Sequence, residues 1–187
     1  YGNPKPFRKH FDQLITSHTD GSYSLNMQYF DFDWAEHMPS RKMIELFGYP
    51  TRKPESKAYD YHENIAASLQ EKLEEVVIKL INQAHKDFPS DNLCLAGGVA
   101  LNSVLNGKIL SNTKFKTLFI PPDPSDAGGA MGAALWAWNN SSLKKFRKQK
   151  LNTFSPYLGP DFSWHEIQKC LQDANLKYEL ISNKVKL

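Results

Sequence analysis

Between Ile65 and Phe88 the residues Ile65, Leu69, Leu73, Val76, Leu80, Ala84 and Phe88 recur every three or four positions, widened by Val77 and Ile81. Glu71, Glu74, Glu75 and Lys79 fall on the other side. That period belongs to an α-helix with one buried face. It predicts a long helix from Tyr61 to Phe88, ended by Pro89. The chain then alternates quickly. Leu93–Ala96 (LCLA) is a short, wholly apolar run, expected to be a central strand buried on both faces, with Cys94 an inert core thiol. Gly97-Gly98 breaks it, and Val99–Leu110 returns to helical spacing. Phe115–Ile120 reads as a second strand stopped by Pro121-Pro122, and Ala127–Trp138 as a helix of small residues. The order α-β-α-β-α implies a layered α/β unit. Short strands that run into glycine turns and helix N-termini are where such sheets bind phosphates.

The flanks carry weaker signals. Tyr1–Pro54 reads as irregular structure with one extended piece, Ser22–Phe32, which follows the turn pair Asp20-Gly21. Ser40 is suited to cap a short helix to Phe47, with Gly48 just past its end. Thr51–Ser56 (TRKPES) reads as a loop, Lys144–Lys150 as a solvated basic connector and Ser155–Asp161 as a linker. Ser163 is expected to cap a helix to Ala174, with a strand at Tyr178–Ile181. Three regions are expected: residues 1–60, an N-terminal irregular segment; 61–145, an α/β nucleotide-binding lobe; and 146–187, a linker and the start of another unit.

Composition removes several function classes. The charge balance is 23 Lys+Arg against 20 Asp+Glu, or +3, too little for the basic field of a nucleic-acid binder. A hydrophobic content of 41% with 12% aromatics is enough for a core. Two cysteines make neither a disulfide framework nor a four-thiolate zinc site. No apolar run approaches the roughly 20 residues that span a bilayer, and no signal peptide leads the chain. The expectation is a cytoplasmic protein without nucleic-acid or membrane partners. The lack of an initiating methionine suggests an excised piece.

Six of the ten glycines lie between Gly97 and Gly132. In Ala96-Gly97-Gly98-Val99-Ala100-Leu101-Asn102, two glycines let backbone approach a ligand, and Asn102 offers an amide one turn into the helix. A turn that needs glycine only for packing is the other reading. In Pro124-Ser125-Asp126-Ala127-Gly128-Gly129-Ala130-Met131-Gly132, Asp126 is compatible with an N-cap, or with a carboxylate that holds a metal beside a phosphate. The segment lacks the first glycine of a dinucleotide fingerprint, Gly107-Lys108 lacks the upstream glycine of a P-loop, and no G-x-S-x-G elbow exists. The six histidines form no pair at three- or four-residue spacing, so none marks a zinc site.

AGGVALN followed by PSDAGGAMGAAL resembles the O-carbamoyltransferases of the nodulation-protein and antibiotic-tailoring type. DGSYSLNMQYFDF, RKPES, HENIAASLQEKLE and SPYLGPDFSWHEI extend the resemblance over nearly the whole chain. It implies an actin- and sugar-kinase-like domain of two ribonuclease-H-like lobes, of which this chain is the second, followed by a carbamoyl-adenylate-forming domain. The implied activity makes carbamoyl-adenylate from carbamoyl phosphate and ATP, then transfers the carbamoyl group to a hydroxyl of a small-molecule or glycoside acceptor. A divalent metal, typically Fe2+, is implied at the site. By the matching motifs, Gly97, Gly98, Gly128 and Gly129 fall on the nucleotide turns, Asn102 on the nucleoside contact and Asp126 on the metal ligand. The family's H-x-x-x-H pair and first phosphate loop are absent here, so the chain alone is expected to be inactive. A kinase-type nucleotide-binding lobe and a non-catalytic binding module are the alternatives.

Overall fold

The computed structural model describes residues 1–33, 35–140, 157 and 159–180. The chain divides into two compact units, Tyr1–Ala137 and Trp138–Leu187.

The first unit opens with α1 (Arg8–Leu14), β1 (Ile15–Ser17) and β2 (Tyr23–Leu25). The expectation of irregular structure up to Pro54 is therefore corrected. Helix α1 has no side-chain cap and only seven residues, too few to be stable on propensity alone. Tertiary packing holds it instead: Phe7, Phe11 and Leu14 are buried with Phe47. Strands β1 and β2 pair antiparallel from Ile15↔Leu25 to Ser17↔Tyr23. The Asp20-Gly21 turn joins them, with Asp20 Oδ1 accepting the Ser22 N–H at 3.0 Å. The expected extended piece ends early, in a 3-10 turn at Met27–Tyr29. Helix α2 (Arg41–Phe47) forms as expected. Ser40 Oγ accepts the Met43 N–H, and the Gly48 N–H donates to the Ile44 carbonyl.

Helix α3 (Asp60–Asp87) is the long helix of the sequence, but its buried face differs from the apolar stripe. Ser68, Lys72, Glu74, Val76 and Ile81 are buried, whereas Leu69, Leu80 and Phe88 are exposed. Two sets of partners explain the shift. Towards its start, Ser68 Oγ lies 2.6 Å from the Pro4 carbonyl and Lys72 Nζ donates to Asp12 at 2.8 Å. Further along, Ile81 packs with Leu105, Ile109 and Phe115. Polar residues enter the interior here because each finds a hydrogen-bonding or charged partner.

Strands β3 (Asn92–Cys94) and β4 (Thr117–Phe119) pair parallel, Leu93 opposite Leu118. Leu93 and Leu118 rest on the Ile81/Leu105/Ile109/Phe115 cluster. Asn92, Cys94, Thr117 and Phe119 point the other way and are exposed. The expectation of a strand buried on both faces, with Cys94 in the core, is corrected: among the described residues only one face of this sheet is covered. Between the strands, the segment expected as one helix splits into a 3-10 turn at Gly98–Leu101 and α4 (Ser103–Asn112). Asn102 is thus the N-cap of α4, not a residue one turn inside it. Helix α5 (Gly128–Asn140) follows, with no residue buried.

In the second unit, α6 (Trp164–Asp173) has the expected cap. Ser163 Oγ accepts the Glu166 N–H at 3.3 Å, and Glu166 Oε2 accepts the Ser163 N–H at 2.7 Å. No strand forms at residues 178–180, and Ile181 lies outside the described residues. The basic run Lys144–Lys150 and residues 155, 156 and 158 of the linker also lie outside them. No described helix is long and apolar enough to cross a membrane.

Candidate functional site

Parallel pairing sends the C-terminal ends of β3 and β4 to the same side, and both glycine turns begin there. The Leu95 N–H donates to the Phe119 carbonyl at 3.0 Å, extending the ladder one residue past β3. Two residues on, the Gly97 N–H donates to the Pro124 carbonyl at 2.6 Å. Segments far apart in sequence are therefore tied backbone to backbone at one sheet edge.

The glycines divide by what surrounds them. Gly97 has φ +104°, a conformation that side-chain-bearing residues rarely adopt, yet nothing lies within 4 Å of where its Cβ would stand. The Cβ positions of Gly98 and Gly129 are equally open. Gly128 is different: a Cβ there would sit 2.0 Å from the Asp123 carbonyl oxygen. Gly128 is a close-approach glycine, whereas Gly97, Gly98 and Gly129 border open space.

Asp126 is exposed. Its backbone carbonyl accepts the Gly129 N–H at 3.1 Å, and its carboxylate caps nothing among the described residues. The N-cap reading of Asp126 is not realised. Asp123 forms the local turn instead, its Oδ1 accepting both the N–H and the hydroxyl of Ser125 at 3.1 Å. The described residues contain no group of three or more His, Cys, Asp or Glu side chains able to hold a metal ion. One exposed carboxylate does not by itself hold a transition metal, which needs several donors in a fixed geometry.

Asn102 carries the densest hydrogen bonding near the turns. Its Oδ1 accepts the Leu105 N–H at 3.0 Å and Gln70 Nε2 at 3.1 Å, while its Nδ2 donates to Gln70 Oε1 at 2.7 Å. Gln70 Nε2 also donates to Glu74 Oε1 at 2.9 Å, and Lys108 Nζ donates to Glu74 Oε2 at 2.6 Å. Burial pushes the Glu74 carboxyl up, but the hydrogen bonds from Lys108 and Gln70, with the Lys108 charge, outweigh it and hold the group below its ordinary value. This contribution to stability is complete above the ordinary carboxylate range and is lost as pH falls through the lowered value. Gln70, Glu74 and Lys108 escape sequence reasoning because the Gln70–Asn102 and Glu74–Lys108 links cross 32 and 34 residues. The only local signal is the helical i,i+4 spacing of Gln70 and Glu74.

A separate cavity of about 500 Å3 is walled by Phe11, Met43, Phe47, Tyr61 and Ile65 among others. It contains none of the turn residues and offers almost no polar group to a ligand.

Residues 1–135 match the family described as "Carbamoyltransferase N-terminus". An uncharacterized protein of Synechocystis sp. is 42% identical over 173 residues, which is 92% of this chain and 28% of the relative. Nodulation protein NolNO of Sinorhizobium fredii is 32% identical, across 98% of this chain and 27% of the relative. Nodulation protein NolO of Bradyrhizobium diazoefficiens is 34% identical, across 86% and 27%. The chain thus spans little more than a quarter of the length of these relatives.

Proposed function

The chain belongs to the carbamoyltransferase family through its match to the N-terminal region, and on that premise we propose that the two glycine turns form part of a carbamoyl-adenylate site. In this reading the α/β unit is the second lobe of an actin- and sugar-kinase-like domain. The whole protein forms carbamoyl-adenylate from carbamoyl phosphate and ATP, and passes the carbamoyl group to a hydroxyl of a small-molecule or glycoside acceptor. The acceptor hydroxyl oxygen attacks the carbamoyl carbon and releases its proton to water, the bond from that carbon to the bridging phosphate oxygen breaks, and AMP leaves carrying the bridging oxygen. Gly97, Gly98 and Gly129 leave the approach open for nucleotide backbone contacts, and Asn102 meets the nucleoside.

The observation that carries this reading is the convergence of both turns at the C-terminal edge of a parallel strand pair, tied by the Gly97–Pro124 bond, with open space over three glycines. Ligands of parallel α/β sheets bind at that edge. Asp126 is proposed as the carboxylate this chain turns towards the implied Fe2+. It is a single exposed donor, so the other ligands would come from elsewhere in the whole protein.

Calorimetric titration of the protein with ATP tests the reading. Saturable binding is expected, weakened about tenfold or more by Gly98→Val, equivalent to roughly 1.4 kcal/mol. The new side chain fills the approach, and it meets no protein atom within 4 Å of its Cβ. Binding unchanged in Gly98→Val removes the turn from the site. A whole protein that phosphorylates its acceptor, rather than carbamoylating it, overturns the reaction.

A further inference from the structure

The bonds around Asn102 have a direction, and elementary chemistry fixes it at both ends. An ionised carboxylate only accepts, so the Gln70 group that faces Glu74 Oε1 at 2.9 Å must be its NH2. Lys108 Nζ, 2.6 Å from the other oxygen, keeps that carboxylate charged. A backbone N–H only donates, so the Asn102 group that faces the Leu105 N–H must be its carbonyl oxygen. The two amides then interlock in one way. Both Gln70 Nε2 protons are used, on Glu74 and on Asn102 Oδ1. Both Asn102 Oδ1 lone pairs are used, by Leu105 and by Gln70. One Asn102 Nδ2 proton goes to Gln70 Oε1, and the other has no acceptor among the described residues. A free asparagine can donate or accept; this one can only donate, and only once.

We infer that Gln70 is a positioning residue that makes Asn102 a single-proton donor, so that the nucleoside group Asn102 meets is an acceptor, a hydroxyl oxygen or ring nitrogen. The inference deepens the nucleotide reading and rests on it. Gln70 itself touches no ligand. The Leu105 N–H fixes which way the Asn102 amide faces, and Gln70 then occupies its second Oδ1 lone pair and one Nδ2 proton, so that Asn102 neither accepts from a ligand N–H nor donates twice. Glu74 and Lys108 hold Gln70 in turn, so selectivity at the turn is set from the half-buried interior of α3.

The test has two arms. In the free protein, NMR of the Asn102 side-chain amide should resolve its two Nδ2 protons, one slow to exchange with water and one fast. In Gln70→Leu both should exchange fast. Two equally fast protons in the unsubstituted protein overturn the inference without any variant. The second arm compares ATP with its 2′-deoxy, 3′-deoxy and 3-deaza analogues. One analogue, lacking the acceptor Asn102 reads, should bind about tenfold more weakly than ATP, the worth of one hydrogen bond. Gln70→Leu should compress that ratio to about threefold or less, and a merely structural role would lower all four affinities together. Unchanged ratios in Gln70→Leu overturn the inference and leave nucleotide binding standing. No binding of ATP by the unsubstituted protein overturns the nucleotide reading itself, with the ligand half of the inference. Gln70→Asn, which keeps the amide but shortens its reach, provides a milder variant and should give an intermediate ratio.

Discussion

Leu105→Ala is expected to lower the unfolding free energy by about 2–5 kcal/mol, the range for a fully buried leucine reduced to alanine. Leu105 has 0% exposure, as does Ile109 one turn later. Both face Ile81 of α3 and Phe115 ahead of β4, with Leu93 and Leu118 of the strands packed around them. The side chain therefore joins helix, helix and sheet at one point, and the cavity it would leave has walls from three elements that cannot all collapse. Domains of this size are stabilised by about 5–15 kcal/mol in total, so the loss is a large fraction. Urea unfolding should show a lower midpoint with an unchanged slope. Ile109→Val, which removes one methyl from the same cluster, should cost only about 0.5–1.5 kcal/mol.

Gly128→Ala is expected to disrupt the second turn, while Gly129→Ala, one residue on, should be tolerated. The alanine methyl at 128 would stand 2.0 Å from the Asp123 carbonyl oxygen, a backbone atom that cannot swing aside as a side-chain tip can. Either Asp123 moves, with loss of its bonds to Ser125, or the first turn of α5 moves. Strain of this kind typically costs about 1–3 kcal/mol. The Pro124 carbonyl lies within the displaced segment, so the Gly97 turn should lose its partner as well. We expect the unfolding midpoint to fall in Gly128→Ala and to hold in Gly129→Ala, whereas ATP affinity should fall in both, through displacement of the turn at 128 and through narrowing of the approach at 129. ATP affinity unchanged from the unsubstituted protein in both variants would mean that the second turn takes no part in binding.

These effects were unequally visible in the chain. The long helix, α2 with Ser40 and Gly48, and α6 with Ser163 and Glu166 were legible because caps and periodicity act within a few residues. The two turns were legible because glycine clusters mark backbone that needs special room. Helix α1 was not, although Phe7, Phe11 and Leu14 follow helical spacing, because three apolar residues in a short segment do not outweigh a loop-like context. The exposure of Cys94 was not legible, since an apolar run states that burial is suitable but not which face is covered. The cap that Asn102 makes on α4 was not legible, because helical spacing begins at Val99 whereas the helix begins at Ser103. Its interlock with Gln70 was not legible either, because it depends on where α3 passes. Lys72 and Glu74 inside the unit were hidden for the same reason, because their partners, Asp12 and Lys108, lie 60 and 34 residues away.

The bond between Gly97 and Pro124 restricts how these loops can differ in length. From Phe119 the chain has only five steps to bring the Pro124 carbonyl within 2.6 Å of the Gly97 nitrogen, and four more to start α5 with Gly128 against Asp123. An added residue between Pro121 and Pro124 would carry the carbonyl out of reach, since one extended residue spans about 3.3–3.6 Å. A deletion would draw α5 into the sheet. Loops at a sheet edge usually absorb such changes, but this one is gauged by its neighbour. A one-residue insertion there should free the Gly97 amide to exchange with solvent, whereas one in the turn that joins β1 and β2 should leave that amide as it is.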